Sequence, residues 1–370
     1  MQILYRALAD LSSIAEVVIV CSATSDLCKL KDHPKVKIVT ADRIKHRELN
    51  RLYMGLGGLK AIVLREKPDV VLAMNLSSYV HLGVPSILSV NNPYQVYPKD
   101  INAYHPGKSP RVAILRWFFR RSLSRTDGMV FQTNLMKDYA QKFLQRPIPS
   151  WTIGKAVEDD TDVAPEPVPD CMERSMAVAM GTGSFRFLYV ATPLPHKNHL
   201  VLYKAMEIVR AEKWPIHLLL TLSRAEVEAT GGQLGTSLIA SGHIVPLGFV
   251  EKRHLLATYN AVDACVMPSV LESLSSAHLE AMKWRKPQIT VDLPYARDLC
   301  GDAAIYCIPD DALAWAQAMR RMISEVDLRA RLIAEGAEIM NRMPKTVPDA
   351  ASRLNSALIE VIRLSPKKKE

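Results

Sequence analysis

The sequence predicts an α/β protein built from two doubly wound, Rossmann-like domains. Its 370 residues exceed the size of one ordinary domain. Short apolar runs rich in β-branched residues alternate with longer helical patterns, and this alternation occurs twice along the chain. Because the runs are apolar throughout, they are expected to form parallel sheets that helices cover on both faces.

Residues 1–160 are predicted as the first domain. Residues 1–13 favour a helix that runs directly into the first strand, and a very short opening strand, MQILY, is the alternative. Gly55, Gly57 and Gly58 do not directly follow a strand, so they favour a loop or a helix start over a phosphate-binding turn. The further elements expected are strands at 16–22, 36–39, 69–73, 86–90 and 128–132 and helices near 43–67, 109–126 and 134–145.

The second domain is predicted at 185–345, after a proline-containing linker at 161–184, and residues 346–370 are predicted as a C-terminal helix and basic tail. Two doubly wound domains place a ligand in the cleft between them, at the carboxyl ends of the strands. The elements expected are strands at 185–191, 216–221, 243–247, 263–267, 287–291 and 304–308 and helices near 197–213, 251–261, 276–285, 311–324 and 327–341.

The composition argues against several classes of protein. No stretch approaches the roughly 20 apolar residues of a membrane-spanning helix, and the N-terminus does not read as a secretory leader. The six cysteines are scattered without a C-x-x-C pair, which disfavours a disulfide scaffold or a zinc site. We therefore expect a cytoplasmic protein, and peripheral attachment to the inner face of the membrane stays open.

The positive charge of the chain is concentrated in its first part. Residues 1–150 contain 22 Lys and Arg against 11 Asp and Glu, whereas the remainder contains 25 against 27. The basic part favours an anionic or membrane-borne partner, and a merely solvated basic surface is an equally good interpretation. Its most basic segment, 109–125 (SPRVAILRWFFRRSLSR), could rest on an anionic membrane surface, or its apolar stripe could belong to the core. Nucleic acid is disfavoured as a partner, because the aromatic residues cluster on this one helix.

The most informative segment is 263–287, DACVMPSVLESLSSAHLEAMKWRKP. An apolar strand ends at Pro268 and Ser269, a loop carries Glu272, and a serine-capped helix carries Glu280. The unpaired amides at the start of that helix form an anion site suited to a diphosphate. Glu280 could accept hydrogen bonds from ribose hydroxyls and Glu272 from a sugar, whereas a solvated loop and helix surface is the alternative.

Two further loops follow predicted strands. In 187–200, FLYVATPLPHKNHL, Lys197 is placed to meet a diphosphate as a point charge, or else is a solvated lysine at a helix start. In 244–260, IVPLGFVEKRHLLATYN, Gly248, Phe249 and Val250 offer a backbone edge and an apolar wall for a base, although such a loop is common.

Taken together, these motifs resemble the donor-binding half of GT-B glycosyltransferases of family 4, and the resemblance covers 187–345. The residues that carry it are Lys197-Asn198, Gly248-Phe249-Val250, Tyr259 with Asp263, Pro268-Ser269, Glu272, Glu280-Ala281-Met282, Pro287 and the run from Leu293 to Tyr306. The family commonly has Gly-Arg where this chain has Ala191-Thr192, and a glycine-rich loop where it has Ser273, Leu274 and Ser275. Lys197 is therefore expected to be the main cation of the site.

The resemblance implies a retaining, metal-independent transferase of the hexosyltransferase type that uses a nucleotide diphosphate-sugar and no other cofactor. It implies that Glu272 and Lys197 act in catalysis, on the donor sugar and on the phosphates respectively. The further donor-binding residues it implies are Glu280, Ser273, Leu274, Ser275, Ser276, Gly248, Phe249, Val250, Asn198 and Thr192. The acceptor would be a saccharide or a lipid-linked compound of polysaccharide or glycoconjugate biosynthesis.

The first domain resembles the family's acceptor half only loosely. Asn91 and Asn92 follow a predicted strand and could orient an acceptor hydroxyl, or they form an ordinary turn. The D-x-D run at 160–162 lies in the acidic linker region rather than at a strand end, so a metal site is not expected there. Two other functions remain open: a nucleotide-sugar-binding partner without catalysis, and an epimerase or phosphorylase on the same scaffold.

Overall fold

The structure of the chain, a computed structural model, describes residues 2–74, 80–98, 110–144, 146–156, 166–177 and 183–365. The chain divides into two compact units. The first unit comprises Met1–Ala156 and Pro344–Glu370, and the second comprises Val157–Met343.

The first unit begins with a helix, α1, rather than with the alternative strand MQILY. The glycines at 55–58 lie in a π-helical turn, Met54–Gly58, between two helices, in keeping with the expectation that they do not bind phosphate. The strands are β1 Val17–Cys21, β2 Val36–Thr40, β3 Val71–Met74, β4 Ser86–Val90, β5 Gly128–Phe131 and β6 Ser150–Thr152. The α-helices up to this point are α1 Gln2–Asp10, α2 Arg47–Tyr53, α3 Leu59–Glu66, α4 Pro93–Val96, α5 Pro110–Leu123 and α6 Asn134–Gln141.

The strands of the first unit pair in parallel. Among the described residues, β1 pairs with β2, and β3, β4, β5 and β6 form a second sheet in that order. In β4 the register places Ile87 beside Leu72 of β3 and beside Gly128 of β5. Every residue of β4 is buried, as expected for a central strand of a covered parallel sheet.

The second unit contains a single parallel sheet within the described residues. Its strands are β7 Phe185–Tyr189, β8 Ile216–Leu220, β9 Ile244–Pro246, β10 Ala264–Met267, β11 Gln288–Val291 and β12 Ala304–Cys307. Its α-helices are α7 Asp170–Ala177, α8 His199–Ala211, α9 Arg224–Ala240, α10 Lys252–Asn260, α11 Ser276–Lys283, α12 Pro294–Cys300, α13 Ala312–Ser324 and α14 Val326–Arg342.

The order of strands in this sheet is β12-β11-β10-β7-β8-β9. The chain starts at the centre with β7, adds β8 and β9 on one side, and then crosses to add β10, β11 and β12 on the other. The sheet therefore has its topological switch point between β7 and β10, where doubly wound folds bind ligands at the carboxyl ends of the strands. At the opposite end of these strands, the Asp263 carboxylate accepts hydrogen bonds from the backbone and guanidinium of Arg186 at 2.8–3.2 Å and ties the two strands together.

The last helix, α15 Val347–Leu364, returns to the first unit. Its apolar face, which includes Leu354, Leu358 and Val361, packs with Ile87 of β4 and with Leu8 of α1. The helix α15 thus contributes to the core of the first unit, a role that the sequence did not indicate.

The predicted α/β fold with parallel sheets is confirmed, and the element bounds agree within a few residues. Five of the α-helices and strands were not predicted: β6, α4, α7, α9 and α12. The helix α7 lies inside the predicted linker 161–184, of which 161–165 and 178–182 fall outside the described residues. The helix α9 contains the pair Gly231-Gly232 and has a non-helical backbone at Gly232, which disrupts the helical pattern in the sequence.

Candidate functional site

The candidate donor-binding residues of the second unit lie in three loops at one edge of its sheet. These loops follow β7, β9 and β10, and all three strands run in the same direction. The loops after β7 and β10 are neighbours at the switch point. The loop after β9 lies two strands beyond β7, a separation of about 10 Å at the usual strand spacing.

The structure brings Lys197 and Glu272 into direct contact, although they are 75 positions apart in the chain. The Nζ atom of Lys197 donates to Oε1 of Glu272 at 2.5 Å. Both side chains are largely buried, with 20% and 14% of their surfaces exposed. Burial of two opposite charges at the switch point is costly unless they are paired, so each charge depends on the other for stabilisation.

A hydrogen-bond network under this ion pair holds the two loops together. The hydroxyl of Tyr189, at the end of β7, donates to the carbonyl of Lys197 at 2.8 Å and lies 2.9 Å from Oγ of Ser269. Since its single proton goes to the carbonyl, the Ser269 hydroxyl donates to Tyr189. The hydroxyl of Tyr295 donates to the Ser269 carbonyl at 2.5 Å. Burial raises the pKa of Tyr189, which keeps its hydroxyl protonated and able to donate.

The sequence did not predict that Tyr189 and Tyr295 position the loops of the site. Both tyrosines are buried, and a buried tyrosine hydroxyl generally needs a hydrogen-bond partner. The only signal in the sequence was a tyrosine at the end of a strand that leads directly into the lysine loop.

Asn198 adopts a left-handed conformation, φ 49° and ψ 44°, where the short helical turn Pro195–Lys197 meets α8. Its side-chain amide donates to the carbonyl of Pro309 at 3.0 Å and lies 3.5 Å from Oδ1 of Asp310. The side chain is thus used to fasten the loop to a neighbouring segment. Thr192, by contrast, is exposed, and its carbonyl accepts a hydrogen bond from the amide of Leu194 at 2.8 Å.

The helix α11 begins directly behind the loop that carries Glu272. Ser275 is its N-cap residue and is buried, but its side chain makes no capping hydrogen bond. The dipole at this helix start favours an anion. Leu274 packs against the apolar cluster under the helix, and Ser273 and Ser276 are half-buried.

Glu280 lies one turn further along α11 and is half-buried. The hydroxyl of the fully buried Tyr259 donates to Oε2 of Glu280 at 3.1 Å. The Tyr259 ring in turn packs against Trp284 with ring centroids 4.5 Å apart. Burial, and after it the charge of Glu280, raise the pKa of Tyr259, so that the tyrosine remains a donor that fixes the orientation of this carboxylate.

The loop after β9 combines a left-handed backbone conformation at Gly248 with an exposed aromatic ring at Phe249. Gly248 has φ +75°, which favours glycine, and its amide donates to the carbonyl of Leu222 at 2.9 Å. Val250 is buried and anchors the loop, whereas 85% of the Phe249 surface is exposed. An exposed aromatic ring next to a fixed backbone can form a wall for a planar group.

Two buried histidines lie beneath the site and are neutral near pH 7. Burial lowers the pKa of His199 to about 4 and that of His278 to about 3. His278 donates through Nε2 to Oγ1 of Thr290 at 2.7 Å, because Thr290 itself donates to the carbonyl of Met267. In the described part of the chain, Nδ1 of His278 and Nε2 of His199 have no hydrogen-bond partner.

The candidate acceptor residues lie in the first unit, after β4. Asn92 is the N-cap of α4, and its side-chain oxygen accepts from the amide of Tyr94 at 3.0 Å. Oδ1 of Asn91 lies 3.4 Å from the Ser89 hydroxyl, which donates to it. The Asn92 contact is that of an ordinary helix cap, one of the two interpretations that the sequence left open.

In the ranges that the structure describes, His, Cys, Asp and Glu side chains form no group of three or more that could hold a metal ion. The D-x-D run at 160–162 lies outside those ranges. None of the described helices combines the length and the apolar content needed to cross a bilayer.

Solved structures share this architecture over nearly the whole chain. A glycosyltransferase from Rickettsia africae ESF-5 matches with a TM-score of 0.71 at 14% identity, over 98% of this chain and 95% of that one. The Anabaena protein Alr3699/HepE, solved in complex with UDP and glucose, matches with a TM-score of 0.67 at 15% identity, over 97% and 95%. Two α/β units, each built on parallel sheets, define a GT-B glycosyltransferase architecture.

Two family descriptions match the sequence itself. "Glycosyltransferase Family 4" matches residues 3–160, and "Glycosyl transferases group 1" matches residues 184–325. The chain belongs to the GT-B glycosyltransferases of family 4, as the motifs of the second half predicted.

One curated relative is the O-antigen chain mannosyltransferase RfbU of Salmonella typhimurium strain LT2. The match is 25% identical over 136 residues, which is 37% of this chain and 38% of the length of that relative.

Proposed function

We propose that the protein is a retaining glycosyltransferase that moves a hexose from a nucleotide diphosphate-sugar to a saccharide or lipid-linked acceptor in polysaccharide or glycoconjugate biosynthesis. The observation that carries this proposal is the Lys197–Glu272 pair at the switch point, where Nζ and Oε1 are 2.5 Å apart. An ammonium and a carboxylate at this place, next to the start of α11, suit a ligand that carries both phosphates and hydroxyls.

Donor binding would break this ion pair and give each of the two side chains a new partner. The diphosphate takes the place of Glu272 as the anionic partner of Lys197, and the start of α11 stabilises the same phosphates. The Glu272 carboxylate is thereby released to accept hydrogen bonds from hydroxyls of the sugar. The carbonyl of Lys197 stays bound to Tyr189, so the lysine changes partner without movement of the loop backbone.

The nucleoside would extend from the phosphates along the edge of the sheet. Glu280, held by Tyr259 through Oε2, accepts hydrogen bonds from the ribose hydroxyls. Phe249, exposed two strands away from β7, forms a wall for the base. Gly248 and Val250 position the loop that carries Phe249. The remaining donor-binding candidates contribute the loop backbone around the phosphates.

In the proposed transfer step, the bond between the anomeric carbon and the phosphate oxygen breaks while Lys197 stabilises the charge that develops on the diphosphate. The acceptor oxygen forms its bond on the same face of the sugar, which retains the configuration. The proton of the acceptor hydroxyl passes to the leaving phosphate. Asn91 and Asn92 of the first unit are the proposed acceptor-side residues.

We propose that this reaction needs no metal ion, because Lys197 and the start of α11 supply the positive potential for the diphosphate. Turnover is therefore expected to be unchanged by EDTA. Loss of turnover in EDTA that is restored by Mg²⁺ would refute this part of the proposal.

We also propose a peripheral, cytoplasmic position at an anionic membrane surface. The support comes from α5, on which Trp117 and Ile114 are 61% and 56% exposed beside the exposed Arg120 and Arg121. Aromatic and basic side chains on one helix are typical of helices that lie at a membrane interface.

Nucleotide release from purified protein tests the main proposal. A panel of nucleotide-sugars, with GDP-mannose and UDP-glucose first, is screened by the shift in melting temperature and then by release of the nucleoside diphosphate. The curated mannosyltransferase relative makes mannose a reasonable first sugar. If the protein is a transferase, one donor raises its melting temperature. That donor then loses its nucleoside diphosphate slowly by hydrolysis in water alone and faster when an acceptor is present.

The alternatives give different results in the same assay. A binding protein without catalysis shifts in melting temperature but releases no nucleotide. A phosphorylase needs inorganic phosphate, and an epimerase converts its substrate without any acceptor sugar.

A further inference from the structure

A basic pocket lies in the first unit, apart from the residues discussed for the donor and the acceptor. Its volume is about 300 Å³, at the small end of ligand-binding cavities. Its lining residues come from the end of α4, from α5 and from the C-terminal part of α6 and the residues after it: Pro98, Arg116, Arg120, Tyr139, Lys142 and Phe143.

Three of these six described lining residues are cations, and none of the six is acidic. In the part of the chain that the structure describes, no carboxylate forms an ion pair with Arg116, Arg120 or Lys142. The guanidinium of Arg120 stacks on the ring of Phe143 at 4.5 Å, and the ammonium of Lys142 lies 4.6 Å from the centre of the Tyr139 ring. The rings thus hold two of the cations in place without neutralising them.

Arg116 is the deepest of these cations, with only 6% of its surface exposed. One of its terminal nitrogens donates to the carbonyl of Tyr97, while its Nε atom is buried and has no hydrogen-bond partner among the residues that the structure describes. Burial, and then the charge of Arg120, lower the pKa of Arg116. A buried cation that is repelled by its neighbour and has no carboxylate partner within the described ranges is in an unfavourable position, and an anion in the pocket would relieve this cost.

The surroundings of the pocket indicate where such an anion comes from. Trp117 lies three residues before Arg120 on α5 and therefore on the same side of the helix. Trp117 is 61% exposed, and Ile114, one turn earlier, is 56% exposed. Exposed Trp and Ile beside a cationic pocket combine an interfacial anchor with a site for a phosphate.

We propose that the pocket of Arg116, Arg120 and Lys142 binds the phosphate of an anionic lipid headgroup and so fixes the orientation of the first unit on the membrane. Guanidinium groups recognise phosphate through paired hydrogen bonds, and the pocket has room for the phosphate with part of a glycerol. This inference rests on the membrane association proposed above and gives it a defined binding site.

Vesicle co-sedimentation of the full-length protein tests the inference. Vesicles of phosphatidylcholine alone are compared with vesicles that contain a third of phosphatidylglycerol. The pocket variant is Arg120→Gln with Lys142→Gln. The matched control is Arg121→Gln with Arg125→Gln, which removes the same charge from the same basic surface without altering a residue that lines the pocket.

We expect wild-type protein to prefer the phosphatidylglycerol vesicles. The pocket variant should lose at least about 10-fold more affinity than the control, because a specific phosphate contact is lost in addition to general attraction. Both variants should keep the wild-type melting temperature and donor turnover, which shows that they fold.

The contrary outcomes separate the two proposals. Equal losses in the two variants would overturn the pocket and leave the membrane association intact. A wild-type protein that binds both vesicles equally would overturn both. If glycerol 1-phosphate then raised the melting temperature of wild type but not of the pocket variant, the pocket would be a site for soluble phosphate instead.

Discussion

Replacement of Lys197 by alanine tests the centre of the proposed site, and its effects on stability and on turnover have separate causes. In the wild type, the Lys197 ammonium is the cation in contact with a Glu272 carboxylate that is only 14% exposed. Lys197→Ala leaves this carboxylate without its cation in a largely buried position. The loss of a hydrogen bond to a charged group costs about 1.5–3 kcal/mol.

For a unit of this size, that cost corresponds to a fall in melting temperature of about 3–12 °C. Differential scanning calorimetry of the variant measures it. The matched control is Lys204→Ala, since Lys204 is an exposed lysine of α8 in the same unit. The control should keep the wild-type melting temperature within about 2 °C, as surface substitutions usually do.

Turnover of the donor should fall by about 10–1000-fold in Lys197→Ala, because the charge that develops on the leaving diphosphate loses its cation. The double variant Lys197→Ala with Glu272→Gln separates the two effects. Removal of the carboxylate charge should restore most of the melting temperature but none of the turnover. If turnover in Lys197→Ala equalled that of wild type, the proposed role of the lysine in catalysis would be refuted.

Three further predictions concern the rest of the second unit. Glu280→Ala should weaken the binding of UDP or GDP, measured by calorimetry, by about 10–100-fold, through loss of charge-assisted hydrogen bonds to ribose; unchanged affinity would exclude the ribose contact. Phe249→Ala should leave the free energy of unfolding within about 0.5 kcal/mol of wild type while nucleotide affinity falls about 5-fold or more; equal affinity would mean that the ring does not contact the base. Because burial lowers the pKa of His199 to about 4 from an ordinary 6.5, the unfolded chain binds the proton more tightly, so the contribution of His199 to stability is complete above pH 6.5 and falls by about 3 kcal/mol as the pH drops to 4. His278, whose pKa burial lowers to about 3, contributes a similar loss in this range, so His199→Phe should remove roughly half of the fall seen in urea unfolding, and an unaltered slope would assign it to other groups.

The parallel α/β fold was predictable because its signals are local. Strand β4 lies at the predicted residues, 86–90, since a run of apolar and small residues is sufficient to mark a buried strand. The helix α9 was not predicted, because Gly231 and Gly232 interrupt its pattern. A local signal for its start was nevertheless present: Ser223 and Glu226 form a capping box.

The candidate site was predictable as a set of residues but not as an arrangement. The motif that contains Glu272 and Glu280 and the loop that contains Lys197 stood out because each of them follows the end of a predicted strand. Whether Lys197 contacts Glu272, however, depends on β7 lying beside β10 in the sheet. Strand order is set by contacts between distant segments, and the periodicity of each strand is compatible with many orders.

By itself, then, the sequence determined the α/β class, the positions of most strands and the family of the second half. Each of these follows from the pattern of neighbouring residues. Only the tertiary structure decided that α15 completes the core of the first unit, that Tyr189 fastens the lysine loop, and that Arg116 is buried in a basic pocket. A side chain's partners come from chain segments that the fold brings together, so its burial and its charge balance are properties of the packed molecule.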